Sequence, residues 1–161
     1  MKFTPTLLAV LLLAIGLSSC NLFKAQHPEQ WQKTTIETQN QKVLFEGLVL
    51  ALRKEDFKVG SGADAGAHQV VTGWRNHSSP FKGRSYRERA TVSYETTDDN
   101  RYLVRVRVER EINHSLRPLL PNSAKWERAP DQPKVSMRIL QYVHSYLGGE
   151  WAPVEDAKAA D

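Results

Sequence analysis

The sequence predicts a two-layer α+β sandwich, a four-stranded antiparallel sheet with two helices on one face, in the order α-β-β-β-β-α. Three observations predict it. An apolar stripe at helical period covers residues 43–52, and a second covers 135–147. The chain between them alternates polar and apolar side chains, with turn residues separating the runs. Alternating strands have one dry face, and two amphipathic helices are the cover such a face needs.

The first helix has a start signal at Thr38-Gln39-Asn40-Gln41, read either as a Thr-x-x-Gln capping box or as Asn40 at the N-cap. Val43, Leu44, Leu48, Val49 and Leu52 then share one face, which Phe45 and Leu50 widen, and the helix is expected to stop near Asp56. Phe57-Lys58-Val59 alternates as a short first strand before the glycine-rich break Gly60-Ser61-Gly62-Ala63-Asp64-Ala65-Gly66. His68 to Trp74 reads as a second strand with Val70, Thr72 and Trp74 on one side.

The next two strands carry the clearest alternation. Ala90, Val92 and Tyr94 alternate with Thr91, Ser93 and Glu95, and Tyr102, Val104, Val106 and Val108 alternate with Leu103, Arg105, Arg107 and Glu109. Thr97-Asp98-Asp99-Asn100 supplies the turn between them. If Val92 faces Val106 across this hairpin, Tyr94 faces Val104 and Ala90 faces Val108 inside, while Arg89 faces Glu109 and Arg87 faces Glu111 outside. Pro118, Pro121 and Pro130 punctuate an irregular stretch that includes Trp126. The second helix is expected to begin between Asp131 and Pro133, to bury Val135, Ile139, Leu140, Val143 and Leu147, and to end at Gly148-Gly149.

Ahead of this domain stands a different kind of segment. Met1-Lys2 places one positive charge before an uncharged run, Leu7 to Leu17, that is too short for a hydrocarbon core of ~30 Å. A positive start, a short apolar core and then small residues form the layout of a secretory signal peptide, here 1–19. The last three residues of that layout and the next, Leu17-Ser18-Ser19-Cys20, resemble the lipobox of bacterial lipoproteins. The resemblance implies that Cys20 becomes an acylated N-terminus and joins the protein to a membrane. Asn21 rather than Asp after the cysteine implies, by the same resemblance, an outer-membrane location facing the periplasm. Cys20 is the single cysteine of the chain, so its acylation leaves no thiol for pairing, oxidation or metal binding.

Removing 19 of 161 residues leaves 142, enough for one domain with a modest core, and loss of Lys2 takes the formal charge from +4 to +3. Residues 20–39 read as a polar tether, about twenty residues reaching roughly 65 Å at full extension. Residues 40–149 form the domain and 150–161 a tail. A helix followed by a twisted sheet, set behind a lipobox and a polar tether, resembles the accessory lipoproteins of outer-membrane assembly of the BamC type. That resemblance implies a non-catalytic binding or scaffolding role in an envelope assembly, with a protein partner there.

Catalytic and cofactor motifs are not found. Gly60-Ser61-Gly62-Ala63-Asp64-Ala65 has dinucleotide-loop spacing, but strand-like residues follow it where a phosphate-binding helix would be needed. His27, His68, His77, His114 and His144 show neither i, i+4 pairing nor a neighbouring cysteine, which argues against zinc. No Gly-x-Ser-x-Gly elbow occurs. The alternative function, a small envelope hydrolase acting on cell wall or lipid, requires a histidine brought to a serine or carboxylate by the fold. An export signal excludes nucleic acid as the partner.

Basic residues cluster instead. The stretches 73–89 and 101–110 hold nine arginines and lysines against two glutamates, which leaves the rest of the mature chain acidic. Arg75, Lys82, Arg84, Arg105 and Arg107 are the candidate residues for an anionic partner, a lipid headgroup, a cell-wall polymer or an acidic protein surface. The competing reading is an ordinary solvated sheet face, in which Arg87 and Arg89 are matched across the hairpin and Arg105 and Arg107 serve solubility.

Overall fold

The chain runs β1 (Gln32–Glu37), α1 (Gln41–Lys54), a single 3-10 turn (Ala65–Ala67), β2 (Gln69–Val71), β3 (Arg75–His77), β4 (Tyr86–Thr97), β5 (Arg101–Asn113), β6 (Trp126–Ala129) and α2 (Pro133–Leu147). The structure, a computed structural model, describes residues 27–60, 63–78, 84–97, 101–115 and 124–148. The expected leader, Cys20, Lys82, the turn residues 98–100 and the C-terminal tail lie outside the described residues.

The fold is α+β with an antiparallel sheet and two helices, as expected, but the sheet has six strands rather than four. It is nevertheless four positions wide. The long hairpin β4–β5 forms the centre, with Val92 opposite Val106 and, as that pairing requires, Tyr94 opposite Val104 and Ala90 opposite Val108. β1 and β6 lie end to end along the outer edge of β5, and β2 and β3 end to end along β4.

Three expectations are corrected. The segment read as a tether contains β1, whose inward residues are Thr34 and Ile36. A threonine on the dry side and Lys33, Thr35 and Glu37 on the other give the strand almost no hydropathy contrast. β6 was hidden for a similar reason, being four residues with Ala129 as its one buried side chain. Phe57 to Val59 forms no strand but a single bridge, Val59 to Thr72, beside the bond from Gly73 N–H to the Lys58 carbonyl.

The expected strand 68–74 is also broken. Val70 sits opposite Val92 while Arg75 sits opposite Glu88, so five residues advance on one strand against four on the other. That extra residue is a β-bulge at Gly73–Trp74. Val70 and Thr72 keep the inner face, but Trp74 is carried to the outer one, where it meets Arg87 and Arg89.

Both helices begin and end as their sequences direct. The Asn40 side chain accepts the N–H groups of Lys42 at 2.9 Å and Val43 at 3.4 Å, settling the choice of cap. α1 closes with Asp56 in the left-handed region (φ 59°), with bonds from Phe57 N–H to Leu52 and from Asp56 N–H to Arg53. That Schellman ending folds Phe57 back into the core. Pro133 opens α2 and Gly148, at φ 77°, closes it. The helices approach closely at Gly47, where an added Cβ would lie 3.3 Å from the Leu147 side chain. Leu44, Leu48, Leu52, Ile139, Leu140 and Val143 pack with Ala90, Val92, Val104, Val106 and Val108 into one core. Their complete burial supplies on the order of 1.5–3 kcal/mol for each large side chain. The odd-numbered side chains of β4 and β5 therefore form a sheet face that neither described helix covers.

Candidate functional site: a sheet face of arginine and tryptophan

The open face is built by alternation. Arg87, Arg89, Thr91, Ser93 and Glu95 of β4 project from the same side as Leu103, Arg105, Arg107, Glu109 and Glu111 of β5. Direct register partners make the first ion pairs: Arg87 Nε lies 2.6 Å from Glu111, and Arg89 binds Glu109 through Nε at 2.9 Å and Nη2 at 2.7 Å. Arg105 faces Ser93 across the hairpin and reaches diagonally to Glu95 at 2.6 Å.

Indole rings add a second tier. The Arg87 guanidinium carbon lies 4.4 Å from the centre of Trp74 and 4.5 Å from Trp126, so this cation is held between two aromatic rings. Arg89 lies 4.7 Å from Trp74, and Arg107 lies 5.9 Å from Trp31. Aromatic faces attract cations through their ring quadrupoles, and planar guanidinium suits the geometry. The face is a tiling of flat groups whose charges are matched from within.

Arg107 is the exception in depth. Only 6% of it is exposed, and it binds Asp131 through Nε at 2.7 Å, Glu29 at 2.6 Å and Glu109 at 3.3 Å. Asp131 is buried, and it also accepts the Gln30 backbone N–H at 3.0 Å. Gln132 N–H binds the Val108 carbonyl at 2.8 Å, so this segment fills the gap between β1 and β6 along β5. Burial works against the Arg107 charge, but the hydrogen bond and charge of Asp131, with Glu109 and Glu29, outweigh it and raise the pKa further. Arg107 is a clamp that ties the entry of β1 to the start of α2.

Arg75 belongs to the other side of the sheet. It is opposite Glu88, a fully buried inward residue, and binds it at 2.5 Å. Arg110 binds the other Glu88 oxygen at 2.6 Å and 2.9 Å. Arg75 also donates to the Glu55 carbonyl and covers the Phe57 ring at 4.1 Å, while the Glu55 carboxylate takes Arg138 of α2 at 2.8 Å. Burial opposes ionisation of Glu88, yet the hydrogen bonds and charges of its two arginines prevail and hold its pKa below the ordinary value. The cluster locks the C-terminal end of α1 to β3, β4 and β5.

The five candidate cations therefore do not form one patch. Arg75 is on the helix side, while Arg105 and Arg107 are on the open side. Arg84 is exposed and 3.0 Å from His114 Nδ1. Lys82 lies outside the described residues. The sequence hid this, because the bulge at Gly73–Trp74 carries Arg75 to the inward face, where unbroken alternation from Val70 and Thr72 would point it outward. Two partners were not foreseen, Glu29 and Asp131, since both come from segments distant in sequence. In the sequence Trp74 reads as a strand residue and Trp126 as part of an irregular stretch, and their stacking on Arg87 depends on the bulge and on β6.

The histidines occupy separate settings. His68 stacks on Tyr94 with ring centres 5.3 Å apart, and His77 stacks on Tyr86 at 4.5 Å. His114 meets Arg84, and His144 bonds through Nε2 to the Thr34 hydroxyl oxygen at 2.9 Å. Burial lowers the pKa of His144, and burial likewise lowers that of His77, against the pull of Glu88. His144 also borders a cavity of about 380 Å³ with Thr35, Ile36, Glu37, Arg101, Leu147 and Gly148. Among the described residues no group of three potential metal ligands comes together, and no helix is long and apolar enough to cross a membrane. Compared with known proteins, the chain matches no family model and no curated sequence.

Proposed function

We propose that the protein is a lipid-anchored envelope lipoprotein, joined to the outer membrane through acylated Cys20, whose domain is a non-catalytic accessory or scaffolding subunit of an envelope assembly. The observation that carries the binding role is the sheet face that neither described helix covers. It presents three tryptophans among arginines, the residue types enriched where protein surfaces bind tightly. Arg87, Arg89, Arg105 and Arg107 are each matched by a carboxylate, which favours a protein partner of mixed polarity over a uniform polyanion.

The hydrolase reading would rest on His144 beside its cavity. Its hydroxyl partner is Thr34, which has no exposed surface, so the pair presents no nucleophile to a substrate.

Two measurements test the proposal separately. Mass spectrometry of the mature N-terminus is expected to show diacylglycerol on Cys20, and an unmodified cysteine would remove the anchor. A photo-crosslinker at Ser93 or Leu103, on the open face, is expected to give a discrete protein adduct in cells that Trp126→Ala abolishes. One at Gln141 on α2 is expected to give none. Equal adducts from both faces would reject the sheet as the binding surface.

A further inference from the structure

Among the described residues, the open sheet face and the helix layer differ in how their cations are matched. On the open sheet face Arg87, Arg89, Arg105 and Arg107 each have a carboxylate within hydrogen-bond distance. The outward side of the helix layer is different. Lys42, Arg53 and Lys54 on α1 and Lys134 on α2 are exposed, and none makes an ion pair among the described residues. Glu46 is the one exposed carboxylate on the same two helices.

Apolar exposure falls on this side too. Val43 is 43% exposed, Leu50 48% and Tyr146 46%, and together with Val71 they are the large exposed hydrophobics of the described domain. Val43 and Leu50 flank Gly47, which packs against Leu147, the neighbour of Tyr146. The three apolar residues thus surround the line where the helices meet, and the free cations lie around them.

We infer that the helix layer is the membrane-facing side of the domain and rests on anionic phospholipid headgroups, with Val43, Leu50 and Tyr146 entering the headgroup boundary. Cations around a small apolar centre suit that surface, since the lysines and arginines meet phosphate while the apolar groups leave water. Chain length supports contact between the domain and the bilayer. Glu29 and Gln30 are already bound to Arg107 and Asp131, so about nine residue steps separate Cys20 from the folded domain. At full extension they span roughly 30 Å, about half the reach of a tether running to residue 39. The chain leaves the domain beside Arg107 and Asp131, so a short tether holds the whole domain close to the bilayer, and the cations and apolar side chains decide which face meets it.

The inference rests on the envelope reading, and its test keeps the two apart. The full mature chain is bound to phosphatidylcholine vesicles, with or without phosphatidylglycerol, and sedimentation with phosphatidylcholine alone reports the anchor. A polarity-sensitive fluorophore is placed at Leu50→Cys on α1 or at Glu95→Cys on the open sheet face. The Leu50 label is expected to shift blue, and to be quenched by headgroup-labelled lipid, only with phosphatidylglycerol present, while the Glu95 label stays unchanged. Lys42→Glu with Arg53→Glu and Lys54→Glu is expected to weaken the effect, about fivefold for each cation removed. Raised salt on the unaltered chain is expected to do the same, which guards against a variant that misfolds. A Leu50 label indifferent to phosphatidylglycerol, or both labels responding alike, would overturn the inference. So would a Leu50 label that responds to a soluble anionic polysaccharide and not to the vesicles.

Discussion

At the scale of single residues, two arginines one strand-repeat apart have different work. Arg107 is buried among three carboxylates, and Arg105 is half exposed with one. Arg107→Ala leaves Asp131 charged and buried, so chemical denaturation should show a loss of about 3–5 kcal/mol. Arg105→Ala should cost no more than about 1 kcal/mol, as expected for an exposed pair. His144 gives a pH signature. Its folded pKa lies below the ordinary 6.5, so the unfolded chain binds the proton more readily. Its contribution is therefore complete above pH about 6.5 and is lost as pH falls through the folded value. Urea midpoints should drop between neutral pH and pH about 5, and His144→Gln should flatten that drop. A second decline, below the ordinary glutamate range, belongs to Glu88, whose folded pKa is also lowered.

At the scale of elements, the parts with strong periodicity could be read in advance and the parts without it could not. The helices declared themselves through apolar faces and through Asn40, Pro133 and Gly148. Alternation in β4 and β5 sorted the residues between the two faces, and the pairing of Val92 with Val106 then yields Arg87–Glu111 and Arg89–Glu109. β1 escaped because its buried side includes Thr34, and β6 because four residues with one buried alanine carry no pattern. The bulge at Gly73–Trp74 is a matter of pairing between strands, which no local window contains. Consequently the Trp74–Arg87–Trp126 stack was illegible although all three residues were in view. Helix ends give two further tests by thermal unfolding. Asn40→Ala should destabilise by about 1 kcal/mol through loss of two capped N–H groups. Asp56→Gly should stabilise by roughly 0.5–1 kcal/mol, because Asp56 holds a left-handed conformation that glycine adopts freely.

At the scale of the whole molecule, the two faces of the sandwich differ in kind. One is a tiled surface where Arg87, Arg89, Arg105 and Arg107 are each answered by a carboxylate; the other is a helical surface with unanswered cations and exposed apolar side chains. Amide hydrogen exchange should show the centre of β4–β5 as the slowest region, since its strands are paired on both sides. The Arg107–Asp131 clamp has a mechanical consequence. A pull arriving along the chain from its N-terminal side first meets the Gln30–Asp131 bond and the Glu29–Arg107 pair, and only then β1. The same tension is passed directly to the head of α2 and to the middle of β5, by way of Asp131 and Arg107. Load is thus shared between sheet and helix before any strand slips, like a rope made fast to two posts instead of one.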